Sequence, residues 1–127
     1  MARIMIVDDS PTDVHVMTNA LQGAGHEVLA ANSAVDSVEI AKDKKPDLIL
    51  MDVVFEGMSG FQATRKLAKD PQTQNIPIII ISSKGQETDR VWGLRQGAVE
   101  YLVKPVKPAQ LVETVQSVLK VRSISQK

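Results

Sequence analysis

Three apolar runs, Ile4-Met5-Ile6-Val7, Leu48-Ile49-Leu50-Met51 and Ile78-Ile79-Ile80-Ile81, contain no polar residue to alternate with the apolar ones. A strand with one face in water alternates, whereas a strand covered on both faces does not, and double covering is the habit of parallel sheets. Parallel strands also need crossovers between them, most often helices. The intervening sequence has the right periodicity. Val14, Met17, Leu21 and Ala24 fall on one helical face that ends at Gly25, and Ala34, Val38 and Ala41 make a second. Phe61, Thr64 and Leu67 mark a third helix stopped before Pro71, and Val91, Leu94 and Ala98 a fourth closed by Gly97. Leu111, Val115, Val118 and Leu119 mark the fifth. Val28-Leu29-Ala30-Ala31 and Tyr101-Leu102-Val103 are weaker strand candidates.

Strand and helix thus alternate five times, which predicts an α/β doubly wound sandwich with a five-stranded parallel sheet and five helices. For five strands with right-handed crossovers the common order is 2-1-3-4-5. A single domain is expected over residues 1–122, with 123–127 as a frayed tail. The 127 residues suffice to bury a core. Fifteen basic and fifteen acidic side chains cancel, which argues against nucleic-acid binding and against a polybasic membrane patch. No cysteine is present, so a disulfide framework, a thiol nucleophile and a thiolate metal site are excluded. The opening turns acidic at Asp8, too soon for a signal peptide, and no apolar run is long enough to span a bilayer. A cytoplasmic protein without membrane insertion is expected.

In open α/β sheets ligands bind beyond the carboxyl ends of the strands. The first run is followed by Asp8 and Asp9, the third strand by Asp52, the fourth by Ser82 and the fifth by Lys104-Pro105. Singly, each has an ordinary reading: helix caps for Asp8, Asp9, Ser10 and Ser82, a turn residue for Asp52, a solvated charge for Lys104. Together they deliver three carboxylates, a hydroxyl and an ammonium to one edge. Crowded carboxylates stay ionised only beside a compensating cation. Mg²⁺, or Mn²⁺ in its place, suits an oxygen-donor set of this kind. Asp52 could then act as a carboxylate nucleophile toward phosphorus, with Lys104 and the metal neutralising the transferred group and Ser82 donating to one of its oxygens.

This constellation, carried by Ile6-Val7-Asp8-Asp9-Ser10, Leu50-Met51-Asp52 with Gly60 eight residues on, Ser82 and Lys104-Pro105, resembles the response-regulator receiver domains of the CheY kind. The resemblance covers essentially the whole chain and implies a flavodoxin-like fold. It implies that Asp52 is phosphorylated by a histidine kinase or its phosphotransfer domain. Asp8, Asp9, Asp52 and the backbone carbonyl of Val54 would serve the metal, Asp8 through a bound water. Lys104 would bind the phosphoryl group, and the Lys104–Pro105 peptide would be cis. Tyr101 matches the aromatic that couples the phosphoryl site to an output face on helix 4, strand 5 and helix 5. A narrower resemblance, through Gln86-Glu87-Thr88-Asp89, Val91-Trp92-Gly93, Arg95-Gln96-Gly97-Ala98 and Gly60-Phe61-Gln62-Ala63-Thr64-Arg65, is to PilH-type regulators of twitching motility by type IV pili. Phe55 and Glu56 stand where the family often has Met-Pro, and Ser82 where it often has Thr.

Other residues read more plainly. His15 and His26 have no partner at ligand spacing and are assigned structural or surface places. Lys42 to Lys45 reads as a solvated helix end. Trp92 lies one position off the Val91–Leu94 stripe, which leaves both a partner surface and core packing open. Val54 and Lys84, two residues after Asp52 and Ser82, are expected to flank the approach of hydrolytic water. Two functions fit: a switch that acts by binding a downstream protein target, and a phosphoryl sink or relay intermediate that drains a shared kinase. Enzymes of other classes fit poorly, because Asp8-Asp9 would repel a flavin phosphate and a dehalogenase-type phosphatase would want Asp-x-Asp after the first strand.

Overall fold

The computed structural model describes residues 1–125. Five strands, β1 (Arg3–Val7), β2 (Glu27–Ala31), β3 (Leu48–Met51), β4 (Ile78–Ser82) and β5 (Glu100–Val103), form one parallel sheet in the order β2-β1-β3-β4-β5. Five helices alternate with them: α1 (Pro11–Gly23), α2 (Ala34–Lys44), α3 (Gly60–Lys69), α4 (Glu87–Gln96) and α5 (Pro108–Ser125). Of the tail expected over 123–127, residues 126 and 127 lie outside the described residues.

The apolar runs are unbroken because each strand feeds two cores. Met5, Val7, Ile49, Met51, Ile78 and Ile80 face α2 and α3, packing with Ala34, Ala41, Ala63 and Leu67. Their neighbours Ile4, Ile6, Leu48, Leu50, Ile79 and Ile81 face the other way, onto Met17 and Leu21 of α1 and Leu111 and Val115 of α5. Successive strand side chains point to opposite faces, so two covered faces demand apolar residues at every position. Each fully buried Ile or Leu contributes about 1.5–3 kcal/mol through burial, which makes the central strands the rigid part of the molecule.

Helix starts follow capping chemistry. Ser10, Ser33 and Ser59 each accept a hydrogen bond from the backbone three residues on, at Asp13, Asp36 and Gln62. Ser10, not Asp8 or Asp9, therefore caps α1, and both aspartates are left for other work. Three expectations need correction. The buried positions of α4 are Gly93 and Gln96, while Val91 is exposed and Leu94 half-buried, because α4 approaches the sheet through its smallest residue. Ser82 is the last residue of β4, paired with Val103 across the ladder, so it is wholly buried. The lysines ending α2 are more than a solvated cluster. Lys42 pairs with Asp70 at 3.1 Å, and Lys45, the left-handed cap of α2, donates through Nζ to the Gln72 carbonyl at 2.9 Å.

At the opposite end of the sheet from Asp8, His26 is buried. Its Nδ1 accepts from the Ala2 backbone N–H at 3.1 Å, and among the described residues its Nε2 has no hydrogen-bond partner. Burial, reinforced by the charge of the N-terminus, depresses the imidazolium pKa. The unfolded chain thus takes up a proton that the folded state resists, and stability present above about pH 6.5 is lost as pH falls below it. Chemical denaturation at pH 7.0 and pH 5.5 should show a less stable protein at the lower pH. In His26→Asn, whose Oδ1 can take the place of Nδ1, that difference should shrink; an undiminished difference would exclude His26 as its source.

Candidate phosphoryl-acceptor site

The parallel sheet brings the carboxyl ends of β1, β3, β4 and β5 to one edge, and chain register fixes what stands there. Asp52 N donates to the Val7 carbonyl at 2.9 Å, and Lys104 N to the Ser82 carbonyl at 2.9 Å, so the ladder hydrogen bonds run into the functional residues themselves. Asp8 N is likewise tied to Ala31 at 3.1 Å. Gly60 closes the back of the site. A Cβ at this position would stand 1.8 Å from the Asp52 carbonyl oxygen, and Gly60 N donates to the Val53 carbonyl at 2.8 Å. Only glycine lets the start of α3 lie against the backbone that carries Asp52.

At the centre is the ammonium of Lys104. Its Nζ donates to Asp13 Oδ2 at 2.8 Å, Asp8 Oδ2 at 2.9 Å and Asp52 Oδ2 at 3.2 Å. The other Asp52 oxygen accepts from the Val53 N–H at 2.7 Å, and Asp8 Oδ1 accepts from Ser10 N–H at 2.9 Å. Burial alone would lower the Lys104 pKa, but its bonds to Asp13 and Asp8 and the charge of Asp52 outweigh that and hold it above the ordinary lysine range. For Asp8 the balance goes the other way. Burial raises its pKa, helped by the charge of Asp52, and the bonds from Lys104 and Ser10 only partly offset this. Asp8 is thus a costly anion in the folded chain, despite touching a cation.

Asp8, Asp9 and Asp52 offer carboxylate oxygens that all lie within 4.8 Å of one another. An octahedral Mg²⁺ with bonds of 2.0–2.1 Å spaces opposite ligands by about 4.2 Å, so the donor set and its spread fit such an ion. Asp9 is exposed and Asp8 buried, which leaves one side of the cluster open to solvent.

The remaining expected residues lie around this edge. The Ser82 hydroxyl accepts from Lys84 N–H at 3.1 Å, and the Tyr101 hydroxyl donates to the Lys84 carbonyl at 2.6 Å. Burial raises the Tyr101 pKa, with hydrogen bonding to Ser82 partly offsetting it. Val54 and Lys84 are exposed, and the Lys104–Pro105 peptide is cis. Trp92 is not core: it is 52% exposed, with exposed Val91 beside it on α4 and exposed Val103 on the edge strand β5. Sequence reasoning missed Asp13. Its position four residues after Asp9, in the first turn of α1, reads as a charge favourable to the helix dipole, and nothing local reveals that Lys104 reaches it from 91 residues away.

The fold and this acidic edge define a two-component signalling protein, and the chain belongs to the response regulator receiver domain family, whose model matches residues 4–116. It is 54% identical over 119 residues to Protein PilH of Pseudomonas aeruginosa, a match covering 94% of this chain and 98% of that one. A CheY-like response regulator receiver domain protein from Methanospirillum hungatei superposes with a TM-score of 0.91 at 26% identity, covering 98% of both chains. The receiver domain of a sensor histidine kinase from Pseudomonas aeruginosa, with a magnesium ion coordinated in its active-site cleft, gives 0.86 at 28% identity over 94% of this chain and 98% of that one. Receiver domains are signalling proteins with a kinase partner, and they bind Mg²⁺ at an acidic site such as the Asp8, Asp9 and Asp52 cluster.

Because the buried Asp8 anion is costly, its neutral isostere should stabilise the metal-free protein. Asn keeps the acceptor for Ser10 N–H, and Lys104 keeps Asp13 and Asp52. Asp8→Asn is expected to raise the metal-free melting temperature by roughly 3–5 °C for each kcal/mol relieved. It should also weaken Mg²⁺ binding, measured by titration calorimetry. A lowered melting temperature would contradict the assignment of Asp8 as a costly buried anion.

Proposed function

We propose that this chain is a phosphorylation-controlled switch, taking a phosphoryl group on Asp52 from a histidine kinase or its phosphotransfer domain. The observation that carries the reading is the Asp52 carboxylate held at 3.2 Å from a lysine ammonium within a cluster of aspartates. Asp52 Oδ2 attacks phosphorus while the bond from phosphorus to the donor imidazole breaks, and the imidazole leaves to take its proton from water. Lys104 follows the transferred oxygens as a point charge, and the Ser82 hydroxyl donates to one of them. Asp8, Asp9, Asp52 and the Val54 carbonyl would hold Mg²⁺, or Mn²⁺, which when bound neutralises charge on the carboxylates and on the transferred group.

A phosphoryl group adds roughly −1.5 to −2 charges, enough to redraw the partners of Lys104 and Ser82 and, through Lys84 and Tyr101, the surface of α4, β5 and α5. Exposed Trp92 on that face supports an output by protein binding, since exposed Trp is enriched in binding hot spots. Similarity to PilH supports a place in type IV pilus and twitching, or chemotaxis-like, signalling. No helix among the described residues is long and apolar enough to cross a membrane, in keeping with a cytoplasmic role.

Exposed Val54 favours the switch over the phosphoryl sink. An apolar side chain there neither orients nor activates the hydrolytic water, and groups that do so typically contribute about 10²–10⁴-fold in rate.

Two measurements test this. With a small phosphodonor and Mg²⁺, intact mass should show one hydroxylamine-labile phosphoryl group, lost in Asp52→Asn; stable modification of a Ser or His would overturn the assignment. After donor removal the wild type should decay slowly, with faster decay in Val54→Asn and a smaller gain in Lys84→Glu. Rapid wild-type decay would reinstate the sink.

A further inference from the structure

Gly93 lies in the interior of α4, where glycine costs about 1 kcal/mol of helix stability relative to alanine. It is nevertheless a position that the helix buries, while its neighbours Val91 and Trp92 are exposed. A Cβ built on Gly93 would stand 2.9 Å from Ile80 Cδ1, 2.9 Å from Tyr101 Cδ2 and 3.2 Å from Tyr101 Cε2. Helix α4 therefore comes so close to β4 and β5 that only a hydrogen fits between its backbone and the phenol ring. The two obstacles differ in kind. Ile80 Cδ1 ends a flexible side chain and can turn aside. The ring carbons of Tyr101 are rigid, and the ring is tied at its far end through the hydroxyl bond to Lys84. An added methyl thus displaces the ring as a unit, and with it the bond to the loop that also reaches Ser82.

We propose that Gly93 is the positioning residue of Tyr101. The missing side chain opens the seat in which the phenol is buried against α4, and so sets the balance between a seated ring and one turned out to solvent. The packing claim stands on the geometry alone; its consequence for signalling rests on the reading of Tyr101 as the relay between Ser82 and the output face.

The sequence has one Tyr and one Trp, so ultraviolet absorbance of the phenolate reports Tyr101 alone, and emission excited beyond the absorption band of the neutral phenol reports Trp92 alone. In the wild type burial holds the phenol above its ordinary range. In Gly93→Ala the titration midpoint should fall toward that of an exposed phenol, about 10. Adding Ile80→Val, which removes the flexible atom the methyl meets, should leave the midpoint low. In a Tyr101→Ala background the same Gly93→Ala change should raise the melting temperature, because the rigid obstacle is gone, the flexible end of Ile80 turns aside, and the gain in helix propensity prevails. Trp92 emission should respond to beryllofluoride in the wild type and lose that response in Gly93→Ala, while acceptance of one phosphoryl group is retained. A wild-type phenolate titration in Gly93→Ala, its restoration by Ile80→Val, or a lower melting temperature in the Tyr101→Ala background would each overturn the proposal. Failure of the wild type to accept a phosphoryl group would instead remove the functional reading and leave the phenolate result standing.

Discussion

The site depends on one ammonium among carboxylates. Lys104 donates to Asp8, Asp13 and Asp52 at once, and without it these anions would repel one another at the edge of a sheet that excludes water from one side. Losing the cation of such a partly buried cluster typically costs about 3–5 kcal/mol, because the carboxylates it compensates stay where they are, whereas neutralising one of the anions leaves Lys104 with the others. The same crowding makes the site responsive. Anything that changes the charge near Asp52 changes how Lys104 divides its hydrogen bonds, and Asp13, outside the Asp8, Asp9 and Asp52 cluster, gives it an anchor that does not depend on them.

Rigidity behind the cluster comes from backbone. Asp8, Asp52 and Lys104 continue the hydrogen-bond ladders of strands whose side chains are buried on both faces, so their starting points are fixed by the most stable part of the molecule. Close backbone approach does the rest. At Gly60 the start of α3 rests on the Asp52 carbonyl, and at Gly93 the middle of α4 rests on the Tyr101 ring. One glycine serves the acceptor and the other the route away from it. That route is short and contiguous: Ser82 and Tyr101 both bond to Lys84, one through its amide and the other through its carbonyl.

Much of this was legible in the sequence. Unbroken apolar runs imply strands covered twice, and strands so covered imply crossover helices; residues immediately after each run must then share an edge. Asp8, Asp9, Asp52, Ser82 and Lys104 were found by that reasoning, which needs only local pattern and the rule for parallel sheets. The α4 stripe was misplaced for an equally physical reason. Periodicity counts large apolar residues, and here the helix approaches the sheet with Gly93 and a buried Gln96 while leaving Val91 and Trp92 exposed. A polar or absent side chain on the buried face is invisible to a hydrophobic count.

By itself, then, the sequence determined the alternation of strand and helix, the parallel sheet and the set of groups gathered at its carboxyl edge, because each follows from periods of two and 3.6 residues along the chain. Only the tertiary structure decided that Asp13 shares Lys104, that burial makes Asp8 the expensive anion, that Trp92 faces solvent and that Gly93 makes room for Tyr101. These depend on distances between segments tens of residues apart, and such distances are set by how the layers pack.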